Sequence, residues 1–80
     1  KEQGVPFGDV EIGIMIREVE DGGGKISLRT SENYNASDLC RALGGGGHAA
    51  AAGATVPGGI AGARHAILSV LAQRGIIRER

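Results

Sequence analysis

Eighty residues, with nine Lys or Arg against nine Asp or Glu, make one small domain without a whole-chain field that would draw it to nucleic acid or a membrane surface. Any anion binding must therefore be local. A chain this short buries only about 60% of the surface its unfolded form exposes. With one Tyr, one Phe and no Trp, its core falls to Ile, Leu, Val and Ala, which suits a thin two-layer domain better than one with a deep pocket. The single Cys40 excludes an internal disulfide, and no close cluster of Cys and His offers four metal ligands. No apolar stretch approaches the ~20 residues that span a bilayer. A reducing, cytoplasmic setting is expected. The abrupt start at Lys1 is read as an excised domain, with residues 1–9 as a linker, 10–75 as the domain and 76–80 as a C-terminal tail.

Val10, Ile12, Ile14 and Ile16 alternate with Glu11, Gly13, Met15 and Arg17, the period of a strand with one buried face, so a strand is expected over Val10–Val19. Asp21, Gly22, Gly23 and Gly24 supply turn residues. Alternation then resumes with Ile26 and Leu28 inward and Lys25, Ser27 and Arg29 outward. The two strands should form a hairpin, with Ser27 and Arg29 on the face away from the aliphatic core.

Asn35 with Asp38 three residues on resembles a capping box, so a helix is expected from Ala36 to about Leu43, with Ala36, Leu39, Cys40 and Leu43 on its apolar stripe. Ser37, Asp38 and Arg41 should face water, and Gly44 should end the helix as a left-handed cap. Beyond His48, period alone does not separate helix from strand in the alanine run. A helical turn over His48–Ala52 and a strand over Ala54–Val56 are the favoured reading. Pro57, Gly58 and Gly59 break the chain, and Ile60, Ala63, Ile67, Leu68 and Leu71 repeat at helical spacing up to Arg74 and Gly75. Ile76 and Ile77 stand between an edge strand and a tail. The fold expected is α+β: a small mixed sheet led by an antiparallel hairpin, two main helices packed on it, and a glycine loop at one end.

Gly44, Gly45, Gly46 and Gly47 run into His48 and then into four alanines and Gly53. Backbone without side chains can approach a ligand closely, and consecutive free N–H groups in such a turn make a concave anion site, stronger if a helix starts there. His48 is the one side chain of the segment that donates a hydrogen bond. The competing reading makes the run a flexible connector with His48 packed beside the helix cap. Arg29 ends the second strand on its polar face, with Ser27 beside it and Thr30 and Ser31 beyond. Its guanidinium matches phosphate bidentately, against the plainer reading of a solvated strand end. Arg41 is a solvated helix residue close enough in sequence to the loop for a supporting electrostatic role. No Ser or Cys has an identifiable base to activate it, and no Asp and His cluster marks a divalent-metal site. The chain should bind, not cut.

KISLRTS (Lys25–Ser31), NASDLCRALG (Asn35–Gly44) and GGGGHAAAAGAT (Gly44–Thr55) together resemble the DHH-associated carboxy-terminal domain of the DHH phosphoesterase superfamily, over roughly Val10 to Leu71. Within it, the SLR and GGGGH segments are similar to the short two-domain bacterial nanoRNase and 3′-phosphoadenosine-5′-phosphate (pAp) phosphatase proteins. The resemblance implies a missing amino-terminal DHH domain in the same chain, holding paired manganese ions and performing hydrolysis across a cleft. It implies that Arg29 and His48 contact the substrate's phosphate or terminal nucleotide and that Gly45, Gly46 and Gly47 offer N–H groups; Ser27, Ser31 and Arg41 are supporting candidates from their position in the sequence. Catalytic residues and metal ligands are not expected in this chain. The partners implied are very short oligonucleotides, dinucleotides or pAp, and a homodimeric parent is left open. The single-strand exonuclease RecJ and the tRNA-contacting carboxy-terminal domain of alanyl-tRNA synthetase share related glycine clusters and supply the alternatives.

Overall fold

The computed structural model describes residues 11–77; the linker read at 1–9 and the charged end at 78–80 lie outside the described residues. The alternating aliphatics form β1 (Ile12–Glu18) and β2 (Gly24–Thr30), paired antiparallel from Ile12 opposite Thr30 to Glu18 opposite Gly24. Gly22, at φ +87°, makes the turn between them, a conformation open to glycine at no steric cost.

The helix α1 (Ala36–Arg41) starts where Asn35 Oδ1 accepts the Asp38 N–H at 2.9 Å. The other half of the capping box is absent, because Asp is one methylene shorter than the usual Glu. The Asp38 carboxylate instead accepts from Arg74 Nη1 at 2.8 Å. At the other end Gly44 takes φ +84°. Its N–H donates to Arg41 O at 3.0 Å and that of Gly45 to Cys40 O at 2.9 Å, the two bonds of a Schellman stop.

Next come β3 (Gly46–Gly47), β4 (Ala51–Val56) and α2 (Gly59–Gln73), and the sheet order is β1-β2-β4-β3. The α+β class, the leading hairpin and the two packed helices are as expected. Every described pairing is antiparallel, where the sequence reading takes a mixed sheet. The helical turn expected over His48–Ala52 does not form. His48 and Ala51 instead exchange backbone bonds at 2.8 and 3.2 Å, closing a hairpin whose Ala49 and Ala50 carbonyls accept the Ala36 and Thr30 N–H groups at 2.7 and 3.0 Å. Pairing along β2 from Arg29–Ala51 to Gly24–Val56 overrides the helix preference of alanine, so the strand begins at Ala51 rather than Ala54.

Ile26, Leu28 and Ala54 from the sheet, Ala36, Leu39 and Cys40 from α1, and Ala63, Ile67, Val70 and Leu71 from α2 form one buried cluster. Both helices therefore cover the same face of the sheet. Ser37, expected to face water, is only 7% exposed, because α1 lies against β3 and β4 and its first turn is covered. Gly24 admits α2: a Cβ there would sit 2.1 Å from Gly59 O. After α2, Gly75 (φ +73°) turns the chain so that the Ile76 N–H reaches Leu71 O at 2.9 Å. Ile76 and Ile77 form no strand but pack, partly buried, against the core. Among the described residues no helix is long and apolar enough to cross a membrane.

Candidate functional site

Because side chains alternate across a strand, the register that buries Ile26 and Leu28 turns Lys25, Ser27 and Arg29 to the face that no described helix covers. Rows of residues run across this face. Gly13 pairs with Arg29 and Arg29 with Ala51, and the two bonds between Ala51 and His48 extend that row to the far edge. The next row runs Met15, Ser27, Gly53, Gly46, and a third sets Arg17 opposite Lys25 and Thr55. Arg29 and His48 are both exposed, two strand spacings or roughly 10 Å apart along their row. Like charges directly opposite one another, as at Arg17 and Lys25, are destabilising. The chain is neutral as a whole, but this face is locally cationic.

Two cavities divide the residues expected at a site. Gly47, His48 and Arg41 line one of about 430 Å³ at the sheet edge, together with Asn35, Ser37, Asp38 and Ala49. Ser27 and Arg29 line another of about 240 Å³ with Gly13, Ile14 and Met15. The shared row, not a shared cavity, relates Arg29 to His48. Ser31 is engaged elsewhere: its hydroxyl bonds the Glu11 carboxylate, to which Asn33 also donates, at 3.1 Å. Those two donors hold the Glu11 pKa below its ordinary value. Burial pushes the Cys40 thiol pKa up, so Cys40 is a packing residue, as its place on the apolar stripe suggests.

The glycine run separates into different roles. Gly44 is needed for its positive φ. Gly45 passes so close to β4 that a Cβ would lie 2.1 Å from Gly53 O, and Gly47 combines φ +151° with a Cβ position 2.7 Å from Ala52 Cα. Gly46 alone of the four has neither requirement: a Cβ there would meet nothing within 4 Å and its φ is not left-handed. The continuous N–H cradle expected of Gly45, Gly46 and Gly47 does not form, since no helix starts there and the Gly45 N–H is spent on Cys40 O. Antiparallel pairs alternate between bonded and non-bonded. As His48 and Ala51 are a bonded pair, Gly47 and Ala52 are not, and the Gly47 N–H points outward from edge strand β3.

Sequence reasoning missed Asn35 and Ser37 beside His48, because Asn35 was absorbed by its capping role and Ser37 by helical phase. It also missed Gly13 and Met15 beside Arg29, since alternation marks the outward face without saying what its residues leave open. A search of curated proteins returns no match. The family model described as the DHHA1 domain matches residues 7–74, spanning the hairpin, α1, the glycine segment and all of α2. The chain therefore belongs to the DHHA1 domain family, the DHH-associated domains of the DHH phosphoesterase superfamily.

Proposed function

We propose that this chain grips substrate phosphate for a DHH-family phosphoesterase acting on very short oligonucleotides, dinucleotides or pAp. The observation that carries the reading is the pairing row Arg29–Ala51–His48, which runs from the uncovered face to the sheet edge beside a glycine, Gly46, that packing does not require. Arg29 takes one phosphate in its planar fork. His48 and the outward Gly47 N–H take oxygens at the sheet edge, with Arg41 adding positive potential across the cavity it shares with them. Arg17 and Lys25 extend the same field.

Charge-assisted hydrogen bonds are worth roughly 1.5–3 kcal/mol each, so two of them give the chain alone an affinity on the order of millimolar. That is enough to orient a small anion. DHHA1 domains usually share a chain with an N-terminal DHH domain, and in this reading the paired manganese ions and the hydrolytic step belong there. Among the described residues of this chain, no group of three or more His, Cys, Asp or Glu could hold a metal ion. Holding phosphate at a fixed distance from those metals acts chiefly through orientation.

The test is titration of the chain with pAp, a dinucleotide, single-stranded DNA and tRNA, following backbone amides by NMR. The expected result is that pAp and the dinucleotide move the amides of Arg29, Gly46, Gly47, His48 and Ala51, and that Arg29→Ala and His48→Ala each weaken binding about tenfold. Preference for tRNA would favour the synthetase-type alternative. Unchanged affinity in both variants would contradict the reading.

A further inference from the structure

We infer that the notch beside Arg29 takes one nucleobase, with Met15 as its platform; this rests on the phosphate reading of Arg29. Gly13 stands opposite Arg29 in the register, and a Cβ added to it would meet only Arg29 O, at 4.0 Å. Its φ is not left-handed, so neither packing nor backbone conformation requires glycine there. The missing side chain leaves an opening between Met15, Ser27 and Arg29 of about 240 Å³. Pockets for drug-sized molecules run to about 300–1,000 Å³, so this one suits a single planar ring system rather than a whole nucleotide.

Met15 is 69% exposed, on a strand whose alternate residues Ile12 and Ile16 pack, partly buried, against the core. A thioether left in water gains by being covered, and sulfur packs favourably on aromatic rings. The guanidinium of Arg29 also stacks on such rings while its N–H groups hold an anion. Ser27, opposite Met15 in the register, places a hydroxyl at the rim for a ring nitrogen or oxygen. Met15 and Arg29 are diagonal neighbours on one face, about 7–8 Å apart, a gap of the kind a ribose fills between its phosphate and its base. Cation and apolar platform together favour a nucleotide over a purely apolar occupant such as a docking side chain.

Met15 is the chain's only methionine, so its ¹³C-labelled methyl gives one unambiguous NMR signal. The chain is titrated with AMP, ribose 5-phosphate and inorganic phosphate. AMP should shift the Met15 methyl upfield through the ring current of the base and bind about threefold to tenfold more tightly than ribose 5-phosphate. Ribose 5-phosphate should leave the methyl in place while still moving the Arg29 amide. Gly13→Val should abolish the advantage of AMP and leave ribose 5-phosphate affinity unchanged, and Met15→Ala should reduce that advantage. Equal affinities for AMP and ribose 5-phosphate, or a still Met15 signal while the Arg29 amide moves, overturn the base notch and leave the phosphate reading standing. No response of Arg29 to any of the three overturns both.

Discussion

The two faces of one sheet follow opposite rules although the same strands supply both. Facing the helices, Ile26, Leu28 and Ala54 fill space against Ile67 and Leu39 until almost nothing is exposed. On the other face Gly13, Ser27, Gly53 and Gly46 leave a low floor, with Arg17, Lys25 and Arg29 around it and His48 at the sheet edge beyond Ala51. Glycine itself changes meaning between them. Gly24 and Gly45 are small because another backbone passes within reach of a Cβ, whereas Gly13 and Gly46 are small with open space above them. Packing explains the first pair and does not require the second.

The largest effect should come from breaking the covered face. Gly24→Val places side-chain atoms on Gly59 O and Ala63 Cβ, and urea denaturation should find the domain unfolded or destabilised by about 3 kcal/mol or more. Ile67→Ala removes a side chain that is 1% exposed, which should cost about 2–5 kcal/mol. Asn35→Ala deletes the α1 cap and should cost about 1 kcal/mol. By contrast Gly46→Ala should change stability by less than about 0.5 kcal/mol while weakening phosphate binding. A loss of stability comparable to that of Gly24→Val would erase the distinction between the two kinds of glycine. Smallest is Arg17→Glu, which turns a like-charged pair with Lys25 into an attractive one and should stabilise the hairpin by roughly 0.2–1 kcal/mol while lowering affinity for phosphate.

Acid should affect one corner of the fold. Hydrogen bonds from Ser31 and Asn33 lower the Glu11 pKa, so their contribution is present above the ordinary carboxylate pKa and is lost as pH falls through the lowered folded value. Glu11→Gln should flatten that part of the stability-against-pH profile. An unchanged profile would mean the bonds do not form in solution.

The covered face was largely legible in the sequence, because period-two alternation at Lys25–Arg29 and helical spacing at Ala63–Leu71 each report a buried surface directly; at Ile12–Ile16 the alternation marks a strand whose Ile12 and Ile16 are only partly buried and whose Ile14 is 40% exposed. The Gly44 stop was legible for the same local reason, since only glycine takes that conformation cheaply. The alanine hairpin was not, because its state depends on pairing with β2, which lies about twenty residues earlier in sequence, and alanine favours helix when left alone. Arg29, His48 and the glycine run were singled out as types, but not their division between two cavities. That division follows from β3 and β4 forming a hairpin edge rather than a loop, which consumes the His48 N–H, while the stop of α1 consumes that of Gly45. Gly13 and Met15 carried no signal of their own: a glycine in a strand and an outward methionine become informative only when the register sets them beside Arg29.

The central claim is that the uncovered face, at the row from Arg29 to His48, is where this chain meets phosphate. A double-mutant cycle on pAp affinity tests it most directly, with Arg29→Ala, His48→Ala and both together measured by calorimetry on chains shown to remain folded. Each single change should weaken binding about tenfold, and the double variant should lose binding to below detection. A double variant that binds pAp as tightly as the unaltered chain would contradict the claim.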